Sequence, residues 1–318
     1  MFVLGTDEAG YGPTLGPLVV AATLWHAENE DESTAGFAEL AAGVPWNETE
    51  WLRISDSKEL YERHAKQPLR KLEAALQWLL PAGSEPTSMG ELLESLGVVF
   101  ATPLGNYRGA NDWLTARYPL TLSSLEQQQL KSVREQWLKA DKPICLRTRV
   151  IILEPRAFNA QCSETFNKSD LLSLTTISLA RELWQEAVAP ADCELISDRH
   201  GGRQFYGALL QQLWPDHRMQ VESELAQCSR YRLTQGSSEL RWRFLVGGEA
   251  NPPVAAASII AKYLRERWME AFNRRWQELV PGLSPTAGYP VDARRFLSAI
   301  EVQRKALGID AIELVRSR

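Results

Sequence analysis

The sequence predicts an α/β protein built on a mixed sheet. Three observations carry that reading. Short apolar runs rich in branched residues recur, at Phe2 to Thr6, Pro17 to Trp25, Arg149 to Leu153 and Cys193 to Ser197. Other stretches repeat their apolar residues at helical spacing. The two kinds of segment mix without a strict strand-helix-strand repeat, which favours a mixed sheet over a doubly wound parallel one.

Each element has its own signature. Between the first two strands lies D-E-A-G-Y-G-P-T-L-G-P, dense in turn residues. Residues 26 to 50 hold seven acidic residues and no Lys or Arg, so a solvated loop or a weak helix is expected there. Leu69, Leu72, Leu76 and Leu79 mark a helix behind Pro68, read as a first-turn proline. Leu130, Val133 and Trp137 mark a second. Leu171, Leu174 and Ile177 mark a third over about 170 to 188, with Ser169 as its N-cap. Residues 81 to 120 are rich in Gly, Pro and Ser, and about 81 to 145 reads as an inserted, partly helical subdomain on a core of about 1–80 and 146–318. Trp113, Tyr107 and Tyr118 in that insertion suit a small apolar core, or alternatively a stacking surface for bases. Then come a helix over Gln204 to Trp214 and strands at Met219 to Glu222, Tyr231 to Thr234 and Leu240 to Val246. A long helix starts near Pro253, and a last one spans about Asp292 to Ala306.

Composition excludes several classes. The 318 residues are 44% hydrophobic and 24% charged, which rules out a disordered or fibrous chain. Four Cys without C-x-x-C spacing and only four His argue against a zinc site or a disulfide scaffold. No signal peptide and no membrane-spanning run is apparent, so a cytoplasmic, monomeric protein is expected.

Chemistry concentrates at carboxylates. Asp7 and Glu8 sit where an apolar strand enters the glycine-rich loop. Neighbouring strand residues point to opposite faces, so both reach one site only if the strand ends or bends between them. Gly10, Gly12 and Pro13 supply that freedom; a solvated turn is the plain alternative. Asp198 stands at the exit of a buried strand, where α/β sheets place ligand groups, or it is an ordinary turn residue. On the long helix, Ile260, Leu264, Trp268 and Ala271 form the apolar stripe, and Ser258, Lys262 and Glu266 recur on another face. Glu266 is then either a site carboxylate or half of an exposed Lys-Glu pair. Four carboxylates without a His or Cys cluster suit Mg²⁺ or Mn²⁺, and two such ions can clamp the attacking and leaving oxygens of a phosphodiester.

These blocks together resemble the ribonuclease HII family, the type 2 ribonucleases H. D-E-A-G-Y-G-P-T-L-G-P-L-V-V-A-A at 7 to 22 and I-S-D-S-K-E-L at 54 to 60 resemble its first two blocks. L-I-S-D at 195 to 198, A-A-A-S-I-I-A-K-Y-L-R-E-R at 255 to 267 and G-Y-P at 288 to 290 follow in order. The resemblance covers about 1 to 25, 51 to 70 and 150 to 300. It implies a ribonuclease H-like fold and endonucleolytic cleavage of RNA in RNA–DNA hybrids, or at ribonucleotides embedded in a DNA duplex. It implies Asp7, Glu8, Asp198 and Glu266 as catalytic ligands of two Mg²⁺ or Mn²⁺ ions. Gly10, Tyr11 and Gly12 would contact the ribonucleotide, Lys58 and Lys262 its phosphates, and Tyr289 a sugar. The sequence departs from the family twice: Tyr11 stands where a basic residue is usual, and Glu266 where Asp is usual. The competing readings are a metal-dependent nuclease for another nucleic-acid structure and a non-catalytic hybrid-binding protein.

The formal charge of −5, from 35 basic and 40 acidic residues, argues at face value against nucleic acid. That average hides its parts. Residues 26 to 50 alone carry −7, whereas residues 241 to 318 carry 13 Lys and Arg against 8 Asp and Glu. The basic C-terminal region is expected to face the substrate.

Overall fold

The branched apolar runs at the N-terminus form two neighbouring interior strands of the sheet, β1 (Phe2–Ala9) and β2 (Leu18–His26), paired antiparallel. The architecture is that of a computed structural model, which describes residues 1–62, 64–81, 84–101, 119–140, 142–162 and 167–317. Trp113, Tyr107 and Tyr118 lie outside the described residues.

In chain order there follow α1 (Glu30–Ala42), the short pair β3 (Val44–Pro45) and β4 (Trp51–Leu52), α2 (Ser57–Leu60), α3 (Arg70–Leu79) and α4 (Met89–Ser95). Next come β5 (Val98–Phe100), α5 (Ser124–Leu138), β6 (Ile144–Leu153), α6 (Pro155–Gln161), α7 (Lys168–Ala187), β7 (Cys193–Asp198) and α8 (Gly207–Leu213). The chain closes with β8 (Arg218–Glu224), β9 (Cys228–Gln235), β10 (Ser238–Leu245), α9 (Pro252–Leu279) and α10 (Pro290–Ala306). Eight strands form one mixed sheet in the order β5-β6-β2-β1-β7-β10-β9-β8. β7 lies parallel to both β1 and β10, as a mixed sheet requires.

Strand periodicity of two sorts the core into two layers. Val3, Val19, Ala21 and Trp25 face α9 and α3, while Leu4, Val20, Ala22 and Leu24 face α7. The stripe Ile260, Leu264, Trp268 and Ala271 is buried.

Several expectations are revised. β1 does not end or bend between Asp7 and Glu8: it pairs with β2 through Ala9. The acidic stretch forms α1, capped by Asn29, and places Leu40 and Trp46 in the core. Pro68 precedes α3 and does not enter it. Asn167, not Ser169, caps α7, because its side chain accepts from the Ser169 and Asp170 amides. Within the described part of 81–145, β5 joins the main sheet against β6, and Leu92, Leu130 and Trp137 share the core of α9.

One contact fixes where α9 begins. A Cβ on Gly5 would lie 2.1 Å from the Pro253 carbonyl carbon. Thr23 on the neighbouring strand donates its hydroxyl to the Pro253 carbonyl oxygen at 2.7 Å. Hydrogen at Gly5 is thus what lets the helix start rest on the sheet. Gly5→Ala is expected to cost roughly 2–3 kcal/mol by overpacking, read as a lower midpoint in urea unfolding; an unchanged midpoint would contradict this packing.

Candidate active site

The site forms where β1 outruns β7. The parallel pairing of these strands stops at Thr6 and Ser197, whose hydroxyls are 2.6 Å apart. The next residue on each strand, Asp7 and Asp198, therefore stands just past the last paired rung. By the same alternation that puts Val3 toward α9, Asp7 projects to the α9 face and Glu8 to the α7 face. The two carboxylates thus straddle the end of the sheet, and no bend between them is needed.

Asp7 accepts a hydrogen bond from Ser258 on α9. Ser258 lies 3.0 Å from the Ser57 hydroxyl at the start of α2. This chain of hydroxyls brings the 54–60 block to the 7–8 block. Lys58 follows directly, its Nζ 3.8 Å from Glu249 and 4.0 Å from Asp56, and its charge draws Asp198 downward.

Glu249 was missed in the sequence. The Gly248 amide donates to Asp198 Oδ1 at 2.7 Å. A Cβ on Gly248 would come within 2.8 Å of the Asp198 Cα, so only glycine allows that approach. The following residue is held beside Asp198, and its charge bears on Asp7, Glu8 and Asp198 alike. A Gly-Gly-acid triplet between a strand and a Pro-Pro helix start was the available signal.

Glu266 stands apart from this group. It lies eight residues along α9 from Ser258, about 12 Å along the axis at 1.5 Å per residue. Its Oε1 takes Lys262 at 2.8 Å and Arg265 at 3.4 Å. It lines a cleft with Tyr61, Lys66, Arg267 and Thr286. Lys262, turned to Glu266, also stands 4.6 Å over the Tyr61 ring, so its expected phosphate contact is not displayed in this arrangement.

The glycine turn is built by distant residues. Gly10 has φ of 93°, a conformation that favours glycine. Arg316 donates to the carbonyls of Gly10 and Pro13, and the Thr14 and Leu15 amides donate to the Gly288 carbonyl at 2.8 and 3.1 Å. Tyr289 is exposed, and its ring edge would meet a Cβ on Gly12 at 3.8 Å. Tyr11 packs beside Gly201, and Lys168 caps its ring at 4.9 Å. The structure therefore gathers Asp7, Glu8, Asp198, Lys58, Gly10, Tyr11, Gly12 and Tyr289 at one end of the sheet.

The electrostatics are those of crowded acids. Burial first, and then the charges of Asp198 and Glu249, push Asp7 up to about 7 against the pull of Ser258. Burial and the charges of Asp7 and Asp198 hold Glu8 well above the usual carboxylate range. Burial and Glu249 raise Asp198. Among the described residues, no group of three or more His, Cys, Asp or Glu is drawn together closely enough to hold a metal ion as it stands.

Asp7 binds its proton more tightly folded than unfolded, where its pKa is 3.8. The associated stability is full below about pH 4 and is lost as pH rises through about 7. Without divalent cations, the melting temperature should fall across that window. Asp7→Asn should flatten the fall and melt several degrees above the wild type at pH 8. A variant less stable than the wild type at pH 8 would contradict buried charge repulsion at this position.

Comparison with known proteins adds the fold. No family model matches the chain, and no curated protein matches it. Among solved structures, Bst-RNase HIII in complex with Mn²⁺ aligns with a TM-score of 0.50 at 18% identity, covering 99% of this chain and 66% of that one. RNase HII from Archaeoglobus fulgidus, solved as a complex with PCNA, aligns with a TM-score of 0.42 at 19% identity, covering 100% and 95%. Ribonuclease H2 from Pyrococcus horikoshii OT3 aligns with a TM-score of 0.42 at 14% identity, covering 99% and 92%. The alignment with Bst-RNase HIII shows that the chain has a ribonuclease H-like fold. Among the described residues, no helix is long and apolar enough to cross a membrane.

Proposed function

We propose that the chain is a type 2 ribonuclease H, an endonuclease that hydrolyses RNA in RNA–DNA hybrids or at ribonucleotides embedded in a DNA duplex. The observation that carries this reading is the meeting of Asp7, Glu8, Asp198 and Glu249 at the open end of β1 and β7. These residues come from three separate parts of the sequence. A purely structural cluster would not bring like charges together in a place that penalises them.

The donor set fits a hard divalent cation, since all four groups are carboxylates. Asp7, Glu8, Asp198 and Glu249 would hold Mg²⁺ or Mn²⁺, with Glu249 in the fourth place in preference to Glu266. The chemistry such ions would supply when held there is an activated water and stabilisation of the leaving oxygen. The raised protonation range of Asp7 makes cation binding a competition with the proton, weaker below about pH 7.

The chain's own residues supply the rest. Ser258 orients Asp7, and Gly248 orients Asp198. Lys58, largely exposed beside Glu249, is placed to meet a phosphate next to the carboxylates. The Gly10–Gly12 turn offers close backbone approach to a ribonucleotide. Tyr289 over Gly12 is placed to pack on a sugar, where only a 2′-hydroxyl separates ribose from deoxyribose. Glu266 lines the neighbouring cleft, with Lys262 paired to it.

Matched duplexes carrying an all-RNA strand, one ribonucleotide or an all-DNA strand test the reading with Mg²⁺ or Mn²⁺. Cleavage is expected only where RNA is present; cleavage confined to the all-DNA duplex, or no turnover, would refute it. Asp7→Asn and Glu249→Gln should each lower the rate by on the order of 10²-fold or more, while Glu266→Gln should stay within about tenfold. The reverse order for the two glutamates would return the fourth place to Glu266.

A further inference from the structure

A cavity of about 250 Å³ lies beside the glycine turn and shares Tyr11 and Gly12 with it, while the rest of its lining has no part in the chemistry above. It is lined by Tyr11, Thr14, Phe158, Lys168, Arg316 and Ser317, among others. Among the described residues, its two cations, Lys168 and Arg316, have no ion-pair partner. Arg316 is only 4% exposed. One of its nitrogens serves the Gly10 and Pro13 carbonyls. Its Nε and Nη1 have no acceptor among the described residues. Burial, and then the nearby positive charge of Arg265, draw Arg316 down to about 9, which leaves it a cation at neutral pH.

Lys168 stands in the same wall, its ammonium over the Tyr11 ring. Among the described residues, Asp170 pairs with Arg203, and Glu313 with Arg156 at 3.8 Å. Pro290, the first residue of α10, also lines the cavity, and that helix has no side-chain cap. A buried guanidinium without a counter-ion is costly. The cavity thus has the shape and charge of an anion site that is completed from outside the chain.

We propose that this cavity binds a phosphate group, and that the group is a backbone phosphodiester of the substrate strand next to the Gly10–Gly12 turn. The second half rests on the ribonuclease reading above. The placement supports it, since the negative charge of Glu8 reaches the Tyr11 hydroxyl, so cavity and carboxylates are neighbours. A phosphate in the cavity would hold the strand in register while its neighbour lies over the carboxylates.

The test uses the full chain without divalent cation, so that duplex binding is read without cleavage. Lys168→Gln should weaken binding of a ribonucleotide-containing duplex by about five- to tenfold at 50 mM salt. It should also lower the slope of log affinity against log salt by about 0.9, the loss of one phosphate contact. Lys168→Arg should restore the slope. One neutral methylphosphonate at a single backbone position should cost the wild type the same factor and cost Lys168→Gln nothing more. Equal affinity and slope in wild type and Lys168→Gln would overturn the substrate assignment. In a parallel arm, 10 mM inorganic phosphate should raise the melting temperature of the wild type and not of Lys168→Gln. That shift with an unchanged duplex slope identifies a free-anion site and overturns the substrate half; no shift and no slope change overturns both halves. Failure of the ribonuclease reading itself appears separately, as a wild type that cuts no ribonucleotide-containing strand, and the inorganic phosphate arm then decides the cavity alone.

Discussion

The close contact between the start of α9 and the two central strands sets the frame for everything else. Gly5 leaves room for the Pro253 backbone, and Thr23 binds its carbonyl oxygen. With the helix start fixed, Ser258 falls opposite Asp7, one and a half turns along. Through Ser258, α2 and Lys58 are also brought to the end of the sheet. A single side-chain atom added at Gly5 would displace this whole series. The three alanines at 255 to 257 are buried in the same contact, and their small size serves the same end.

The cost of the arrangement falls on the carboxylates. Stability would be better served by apolar or paired groups at Asp7, Glu8 and Asp198. Instead the fold holds them together and offsets their repulsion only in part, through Ser258, the Gly248 amide and Lys58. The region on the other side of the glycine turn has the opposite excess, from Arg316 and Lys168. Two unbalanced charges of opposite sign flank one loop. A phosphodiester strand with cations at its scissile group would balance both at once, and this complementarity links the two sites.

Much of the fold was legible in the sequence because alternation and helical spacing are local signals. β2, β7, α3, α9 and α10 stand close to where those patterns put them. The helix at 30–42 was legible only as an alternative to a solvated loop, since its charge is high and its buried side is narrow: Ser33, Gly36 and Leu40. β5 was hidden by its length of three residues, too short for periodicity. Asp7, Glu8 and Asp198 were legible because each ends or borders an apolar strand. Glu249 was not, because its place beside Asp198 depends on a hydrogen bond from Gly248 to a strand 50 residues away. Glu266 drew attention instead, since a helical repeat with Ser258 and Lys262 is visible in one dimension. In three dimensions that repeat carries it two turns beyond the site. Arg316 gave no local signal, because its contacts at Gly10 and Pro13 are more than 300 residues distant.

The central claim is that Asp7, Glu8, Asp198 and Glu249 form one cation site at the end of β1 and β7. Anomalous scattering from crystals soaked in Mn²⁺ addresses it most directly, because it locates the ions without relying on turnover. The account predicts Mn²⁺ peaks bounded by the carboxylates of Asp7, Glu8, Asp198 and Glu249. A peak held by Glu266 and not Glu249, or no peak among these carboxylates at saturating Mn²⁺, would contradict it.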